Sequence, residues 1–423
     1  MHGNWKGLKK ATVAFTAAIT TIACGAQQTS NTPTATDVGV TKDTITIGAT
    51  FPLSGTASAY AAVSKGMNAY FQYINDKGGV NGRKITFTVV DDVYNAANTP
   101  AKARELVDQD KIFAAVGNLG TGPNLATRQY YNDNKVPDLF VFTGSNHWGG
   151  DFAQYPWTIG WQPDYQAEGK IYAKDILTNN PSAKIAILYQ NDDYGKDYVK
   201  GLTDGLADKA SSMIIKTATY NAGDPVDMSS QVNQLKASGA DTFYVVTTPA
   251  YSASALKNSQ SSGWKPAHIY LNNVGASTLT VQAVLKALGS ATAFDGMQTT
   301  TYLKDPNDPA QANDPGIVKY KDIIGKYGNG CQVIDPFCVS GMSCAFTFVD
   351  VITQAGTNMT RANVMDIAAN KLNETNNFLV LSGIVVKTTK TDHYPIRQEK
   401  LQKWQGDATT GRYVPVGNII SGR

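Results

Sequence analysis

Residues 116–124 read VGNLGTGPN, with the apolar run IFAAV before them and LATRQYYNDN after them. The glycines, threonine and asparagine therefore sit where a strand gives way to a helix. Backbone N–H groups at such a junction attract an anion. The loop contains no Lys or Arg, and the chain contains no GxxxxGK[ST], so a carboxylate suits this loop better than a nucleotide phosphate. Two further stretches offer polar side chains at strand ends. FTGSNHWG follows PDLFVF and presents Ser145 and Asn146, and NDDYG presents Asp192 and Asp193. Groups that could run a reaction are scattered. His2, His147, His268 and His393 stand alone, and HExxH, GxSxG and CxxC do not occur. No cluster of ligands suggests a metal. These residues point to binding without a metal or cofactor, and away from an enzyme.

The composition agrees with a binding protein of ordinary charge. Of the 423 residues, 42% are hydrophobic and 17% are charged, and the net charge of +3 is spread along the chain without a basic stripe. Nucleic acid is thus not an expected partner. The length favours two lobes over one core.

Residues 1–24 read as a secretory signal, with Lys6, Lys9 and Lys10 ahead of the apolar ATVAFTAAITTIA. The segment TIAC resembles a bacterial lipobox, which makes Cys24 the lipid-bearing residue and the membrane a partner through that anchor. Thr21 stands where the lipobox prefers Leu, and plain cleavage nearby is the alternative. Residues 25–43, rich in polar residues and Thr, read as a flexible tether. The run GMSCAFTFVDVITQAG is interrupted by Asp350 and reads as too short for a second span. Export would put Cys331, Cys338 and Cys344 in an oxidising compartment, where three cysteines suggest one bridge and one thiol. Cys331 and Cys338 flank QVIDPF and can close a short ring, while Cys344 opens an apolar run and reads as a packed thiol. The other pairings stay open.

The elements that position these loops follow from periodicity. TITIGATFP alternates and stops at Pro52, as a strand does. SAYAAVSKGMNAYFQYINDKGG is a helix pattern closed by Gly78 and Gly79. KITFTVVDD, IFAAVGN and PDLFVFTG are further strands, with helices between them and no hairpin turns. The pattern then restarts from YAKDILTNN through HIYLNN, while LVLSGIVVKT, YPIRQEKLQKWQG and GRYVPVGNII read as antiparallel strands. Alternation of this kind implies an α/β fold: parallel sheets with helices on both faces.

The opening TITIGATFPLSGTASAYAAVSKGMNAYFQYINDKGGVNGRKITFTVVDD resembles that of the periplasmic leucine/isoleucine/valine-binding protein family. PLSG, INDKGGVNGRKI and the VVDD strand end carry the resemblance, and DPVDMSSQVNQLKASGADTFYVV is similar to the family's second-lobe helix and strand. The resemblance implies a type I solute-binding protein: two doubly wound parallel-sheet lobes joined by three crossovers. It implies an N-terminal lobe from residues 44–160 and 276–383, and a C-terminal lobe from 161–275 and 384–423. The crossovers would fall near Gly160, Gly275 and Gly383. The implied role is the extracytoplasmic, lipid-anchored, monomeric subunit of an ABC importer, closing on a small molecule and passing it to permease and ATPase subunits. A solute-binding sensor that signals through a partner is the alternative.

The resemblance also implies a site. Thr121 falls where the family has a hydroxyl residue on the ligand carboxylate, and Ser145 and Asn146 match residues at the same end. Tyr60 matches an aromatic that covers the ligand, Tyr194 one that stacks from the other lobe, and Phe337 aligns loosely with another. Amino-acid binders of the family carry an acid after a second-lobe strand, to pair the ligand ammonium. This chain has IYLNNVGAS there, with Asn272 and Asn273. A buried ammonium left unpaired costs roughly 3–5 kcal/mol. Asp192 or Asp193 is the available substitute. The expected solute is accordingly a small carboxylate or amide with an apolar body, either branched-chain-amino-acid-like or an aromatic or aliphatic acid.

Overall fold

The computed structural model describes Met1 and residues 36–423. The leader at 1–24, Cys24 and the tether as far as residue 35 lie outside the described residues. The TITIGATF run forms β1 (Thr44–Phe51), paired along its whole length with β2 (Lys84–Asp91). On its other side follow β3 (Ala114–Val116), β4 (Asp138–Val141) and β5 (Thr158–Gly160), giving the parallel order β2-β1-β3-β4-β5. β3 and β4 are buried throughout, which is why they read as unbroken apolar runs. Apolar clusters cover both faces, the larger one built with helices Ala61–Asp76 and Pro336–Ala355.

The second sheet contains β6 (Ile185–Gln190), β7 (Ile214–Tyr220), β8 (Thr242–Val246), β9 (His268–Leu271) and β10 (Gln298–Thr301) as parallel strands. A short antiparallel pair, β11 (Asn373–Glu374) and β12 (Val386–Lys387), stands apart. β13 (Gln398–Gln405) and β14 (Arg412–Ser421) then extend the second sheet antiparallel to β10, in the order β14-β13-β10-β9-β8-β6-β7. Both lobes are α/β, and the second is mixed at one edge.

Three boundaries differ from expectation. The chain leaves the first sheet after Gly160, but it returns only after Thr301, not near Gly275, because helix Thr278–Leu288 and β10 belong to the second lobe. β10 reads QTTT, without apolar alternation, yet it is buried because its polar groups are paired. Gln298 donates to Asp175 at 2.9 Å, and the Thr300 hydroxyl is hydrogen-bonded with Glu399. The last crossing falls between Lys387 and Gln398, beyond Gly383, and LVLSGIVVKT yields only the two residues of β12. Finally, the tether ends before residue 43. Thr36 bridges Met359, Asp37 accepts the Arg361 N–H at 2.7 Å, and Gly39 lies against the Phe113 backbone.

Helix Pro336–Ala355 is long and apolar enough to cross a membrane by length and composition, but most of it is buried inside the first lobe. Pro336, which suggests a loop in isolation, is the first residue of this helix, and Asp335 caps it through the Phe337 N–H at 2.9 Å. The helix crosses Ala61–Asp76 in backbone contact. A Cβ on Gly66 would stand 2.1 Å from Cys338 O, and one on Gly341 would stand 1.9 Å from Val63 O. Glycine on both partners lets the helices approach this closely.

Cys331 is bonded to Cys338 across seven positions, with Cα atoms 6.1 Å apart, and Cys344 is a buried free thiol. The bridge ties the preceding turn to the first turn of the helix that carries Phe337. A closed loop this short is worth about 2.5 kcal/mol through the unfolded state. Cys331→Ser should lower the unfolding free energy by roughly that amount in denaturant titration. An unchanged midpoint would show that the bridge contributes nothing to stability.

Candidate functional site

The carboxyl ends of the two sheets face each other across a cavity of about 100 Å³. One water needs roughly 10–15 Å³, so the space suits a small organic molecule. Much of its lining comes from the segments after β1, β2, β3, β4, β5, β6, β8, β9 and β10, the position at which open α/β sheets take ligands.

On the first-lobe side, Tyr60 and Phe337 meet edge to face with ring centroids 5.0 Å apart. The glycine-tight helix crossing sets this contact, because each residue sits at the start of one of the two helices. The Tyr60 hydroxyl donates to Val274 O at 2.9 Å, joining the lobes over the cavity. Tyr94 closes another side. It and Val93 both adopt left-handed backbone, with φ of 57° and 58°, unusual for residues with a Cβ and strained for valine. Asp92 supports the turn by accepting the Tyr94 N–H at 2.9 Å. The Tyr94 ring lies over Gly120, where a Cβ would meet it at 2.6 Å and where φ is 107°. Gly120 lines the cavity and opens helix Thr121–Asp133, which has no side-chain cap. The first-turn N–H groups of that helix thus have no side-chain acceptor.

Across the cavity stand Tyr165, Tyr194 and Asn273. Asn272 donates to the Tyr194 oxygen at 2.8 Å while accepting the Thr247 N–H at 3.0 Å, which fixes that phenol. Asn273 commits its Nδ2 to Thr300 O at 2.6 Å and its backbone N–H to Glu168 Oε1 at 2.7 Å. Its Oδ1 is left as the polar group it can offer. Burial pushes the phenols of Tyr60, Tyr94, Tyr165 and Tyr194 well above their ordinary pKa, so they remain O–H groups. Lys304 is the one lysine or arginine among the lining residues, and Asp314 grips it through both oxygens at 2.7 and 2.8 Å. Asp305 is the one lining acid. Burial pushes its carboxyl up, and it accepts the Asn307 N–H at 2.8 Å.

Four of the residues expected at the site line this cavity: Tyr60, Tyr194, Asn273 and Phe337. Four do not. Thr121 is buried with its hydroxyl 2.7 Å from that of Thr143. Ser145 Oγ and the Asn146 N–H both donate to Asp197 of the second lobe, at 2.8 and 3.0 Å. Asp193 reaches His147 at 3.4 Å. Thr121 is thus tied within the first lobe, while Ser145, Asn146 and Asp193 hold the lobes to each other instead of facing the cavity. Gln166 adds a third donor to Asp197 at 2.7 Å. Asp192 caps helix Asp193–Leu206 and accepts Gln190 Nε2 at 2.6 Å. The lining residues that sequence reasoning missed are Tyr94, Gly120, Phe142, Tyr165, Lys304 and Asp305. Gly120 had a signal, since it lies with Leu119 in the VGNLGTGPN loop.

The chain matches known proteins along most of this architecture. A family model described as periplasmic binding protein matches residues 44–409. The Leu/Ile/Val-binding protein homolog 7 of Brucella abortus is 27% identical over 240 residues, covering 53% of this chain and 57% of that protein. The chain thus matches little more than half the length of such curated relatives. A branched-chain amino acid ABC transporter protein of Thermus thermophilus, solved with bound valine, superposes with a TM-score of 0.75 at 20% identity, covering 90% of this chain and 97% of that one. A solute-binding protein of R. palustris in complex with 4-hydroxybenzoate gives 0.74 at 16% identity, covering 90% and 97%. At these identities the structures establish a shared fold. The family match spans the first sheet and all of the second except β14, and the chain belongs to the periplasmic binding protein family.

Proposed function

We propose that the protein is the extracytoplasmic solute-binding subunit of an ABC importer, and that its solute is a small aromatic or aliphatic acid held between the lobes. The observation that supports this most is the cavity wall. Tyr60, Tyr94, Phe142, Tyr165, Tyr194 and Phe337 surround a small space with rings. Such a wall favours a flat or branched apolar body. Gly120, at the uncapped start of a helix, suits the carboxylate end. Asn273 Oδ1 can accept one hydrogen bond from the solute. Asp305 already accepts the Asn307 N–H in its own turn, and Asn272 and Asn273 stand where an acid would pair an ammonium. This weighs against a free amino acid. Ser145, Asn146, Gln166 and Asp197 act in lobe closure, with solute bridging the halves and stabilising the closed form. Attachment through Cys24 and delivery to permease and ATPase subunits complete the reading, the first resting on TIAC alone.

The test compares isocaproate, which is leucine without its amine, with leucine, valine and 4-hydroxybenzoate. A ligand at a hundred times its dissociation constant stabilises the fold by about 2.7 kcal/mol, a clear melting shift. The acids should give a larger shift than the two amino acids at equal concentration. A larger shift with leucine than with isocaproate would overturn the preference and make Asp305 an ammonium partner.

A further inference from the structure

Behind Asn273 lies a buried pair of acids that is not part of the cavity wall. Glu168 sits in helix Tyr165–Asn179, just after the first crossing, and Glu399 lies on β13, just after the last. Both are almost fully buried, at 2% and 1% exposure. Their hydrogen bonds are unequal. Glu168 accepts three donors: Tyr172 OH at 2.6 Å, Tyr198 OH at 2.6 Å and the Asn273 N–H at 2.7 Å. Glu399 has one hydrogen bond, with the hydroxyl of Thr300. Thr300 lies on β10, just before the second crossing.

The groups facing the pair are uniformly acidic or phenolic. Tyr172 is on the same helix as Glu168, Tyr198 is on helix Asp193–Leu206 and Tyr244 is on β8. Asp164 and Tyr302 face Glu399, and Asp164 is itself paired with Arg423 at 2.7 Å. Among the described residues no lysine, arginine or histidine bonds either carboxyl. Two adjacent buried carboxylates without a cation cannot both ionise cheaply. An ionised carboxyl only accepts, so three donors mark Glu168 as the charged member. Glu399 is left to carry the proton and can donate it towards Thr300.

We propose that Glu168, Thr300 and Glu399 form one proton-sharing unit, with Glu399 protonated and Glu168 charged, and that this unit positions Asn273 and Tyr165 against the solute. Glu168 holds the backbone of Asn273 directly. It holds Tyr165 through Tyr198, whose ring stacks on Tyr165 at 4.5 Å. Thr300 O holds the Asn273 side chain. The three segments that join the lobes thus meet at this unit, which links the proton to the shape of the second-lobe wall. The inference rests on the solute-binding reading for its positioning half.

Two isosteric variants test it. Glu399→Gln keeps a donor towards Thr300 and should weaken isocaproate binding far less than the variant at Glu168. Glu168→Gln turns an amide N–H towards groups that also donate. It should weaken isocaproate binding by roughly tenfold or more. Infrared spectra near pH ~8, where ordinary buried acids have ionised, give a readout that needs no solute. The carboxylic-acid band should be absent from Glu399→Gln and present in Glu168→Gln. The same band in both variants, or equal affinities, would overturn the proposal. Wild type taking up no acid or amino acid would refute the solute-binding reading, and the infrared pattern would still decide the proton assignment.

Discussion

Gly341→Val is expected to lower the unfolding free energy by more than about 3 kcal/mol and to remove the melting shift given by solute. The atom in the way is a backbone carbonyl, Val63 O, only 1.9 Å from the Cβ position, so no side chain can swing aside. Helices Ala61–Asp76 and Pro336–Ala355 would have to separate, and Tyr60 and Phe337 would separate with them. Gly325→Ala supplies a control with the opposite sign. It lies in helix Pro315–Tyr327 with nothing near its Cβ position. Ala there should stabilise by roughly 0.5–1 kcal/mol. Urea titration of both variants measures the difference. Equal midpoints would mean that the crossing tolerates extra volume.

The second large effect is one of pH. Burial pushes the carboxyls of Asp138 and Glu374 up to about 7. Both are neutral in the fold at pH ~5, while in the unfolded chain both have ionised near pH ~4. The folded form therefore holds more protons, and stability falls as pH rises towards 7. Each group costs about 1.4 kcal/mol per pH unit in that window, so the two together remove on the order of 5 kcal/mol between pH ~5 and ~7. Asp314 behaves oppositely. Lys304 and two backbone N–H groups hold its carboxyl below the usual range, and its contribution is lost only at lower pH. Urea titrations across this range should show the greatest stability near pH ~5. Glu374→Gln keeps the carbonyl that accepts from Thr347 and Asn377, both at 2.8 Å, and should flatten about half of the slope. Stability that rises from pH ~5 to ~7 would contradict this account.

The parallel core was legible because its strands are buried on both faces and its helices carry plain apolar stripes. β10 was not legible. Its QTTT sequence looks like loop, and only the partners Asp175 and Glu399, remote in sequence, make its burial tolerable. The Asp-Pro pairs at 314–315 and 335–336 were readable as helix starts, since each Asp accepts first-turn N–H groups. At the site, the resemblance supplied Tyr60, Tyr194 and Phe337, all of which line the cavity. It also supplied Thr121, Ser145 and Asn146, which do not, because they are hydrogen-bonded to Thr143 and Asp197 instead. Tyr94 had no signal at all. Its place depends on a left-handed turn that its residue type disfavours.

The contacts between the lobes bear on timing. Tyr60 reaches Val274, Ser145 and Asn146 reach Asp197, and His147 reaches Asp193, and each pair spans the gap between the sheets. In the proposed closing mechanism these contacts part before a solute enters or leaves the cavity. A molecule in solution therefore waits for an opening that it does nothing to hasten, and arrival cannot outpace that opening however concentrated the molecule is. Departure is limited in the same way, so a loose guest and a snug one share the same slowest step whenever the latch re-forms behind them. Discrimination among guests then comes from how long the closed state lasts and how often it re-forms empty, more than from how quickly each guest arrives.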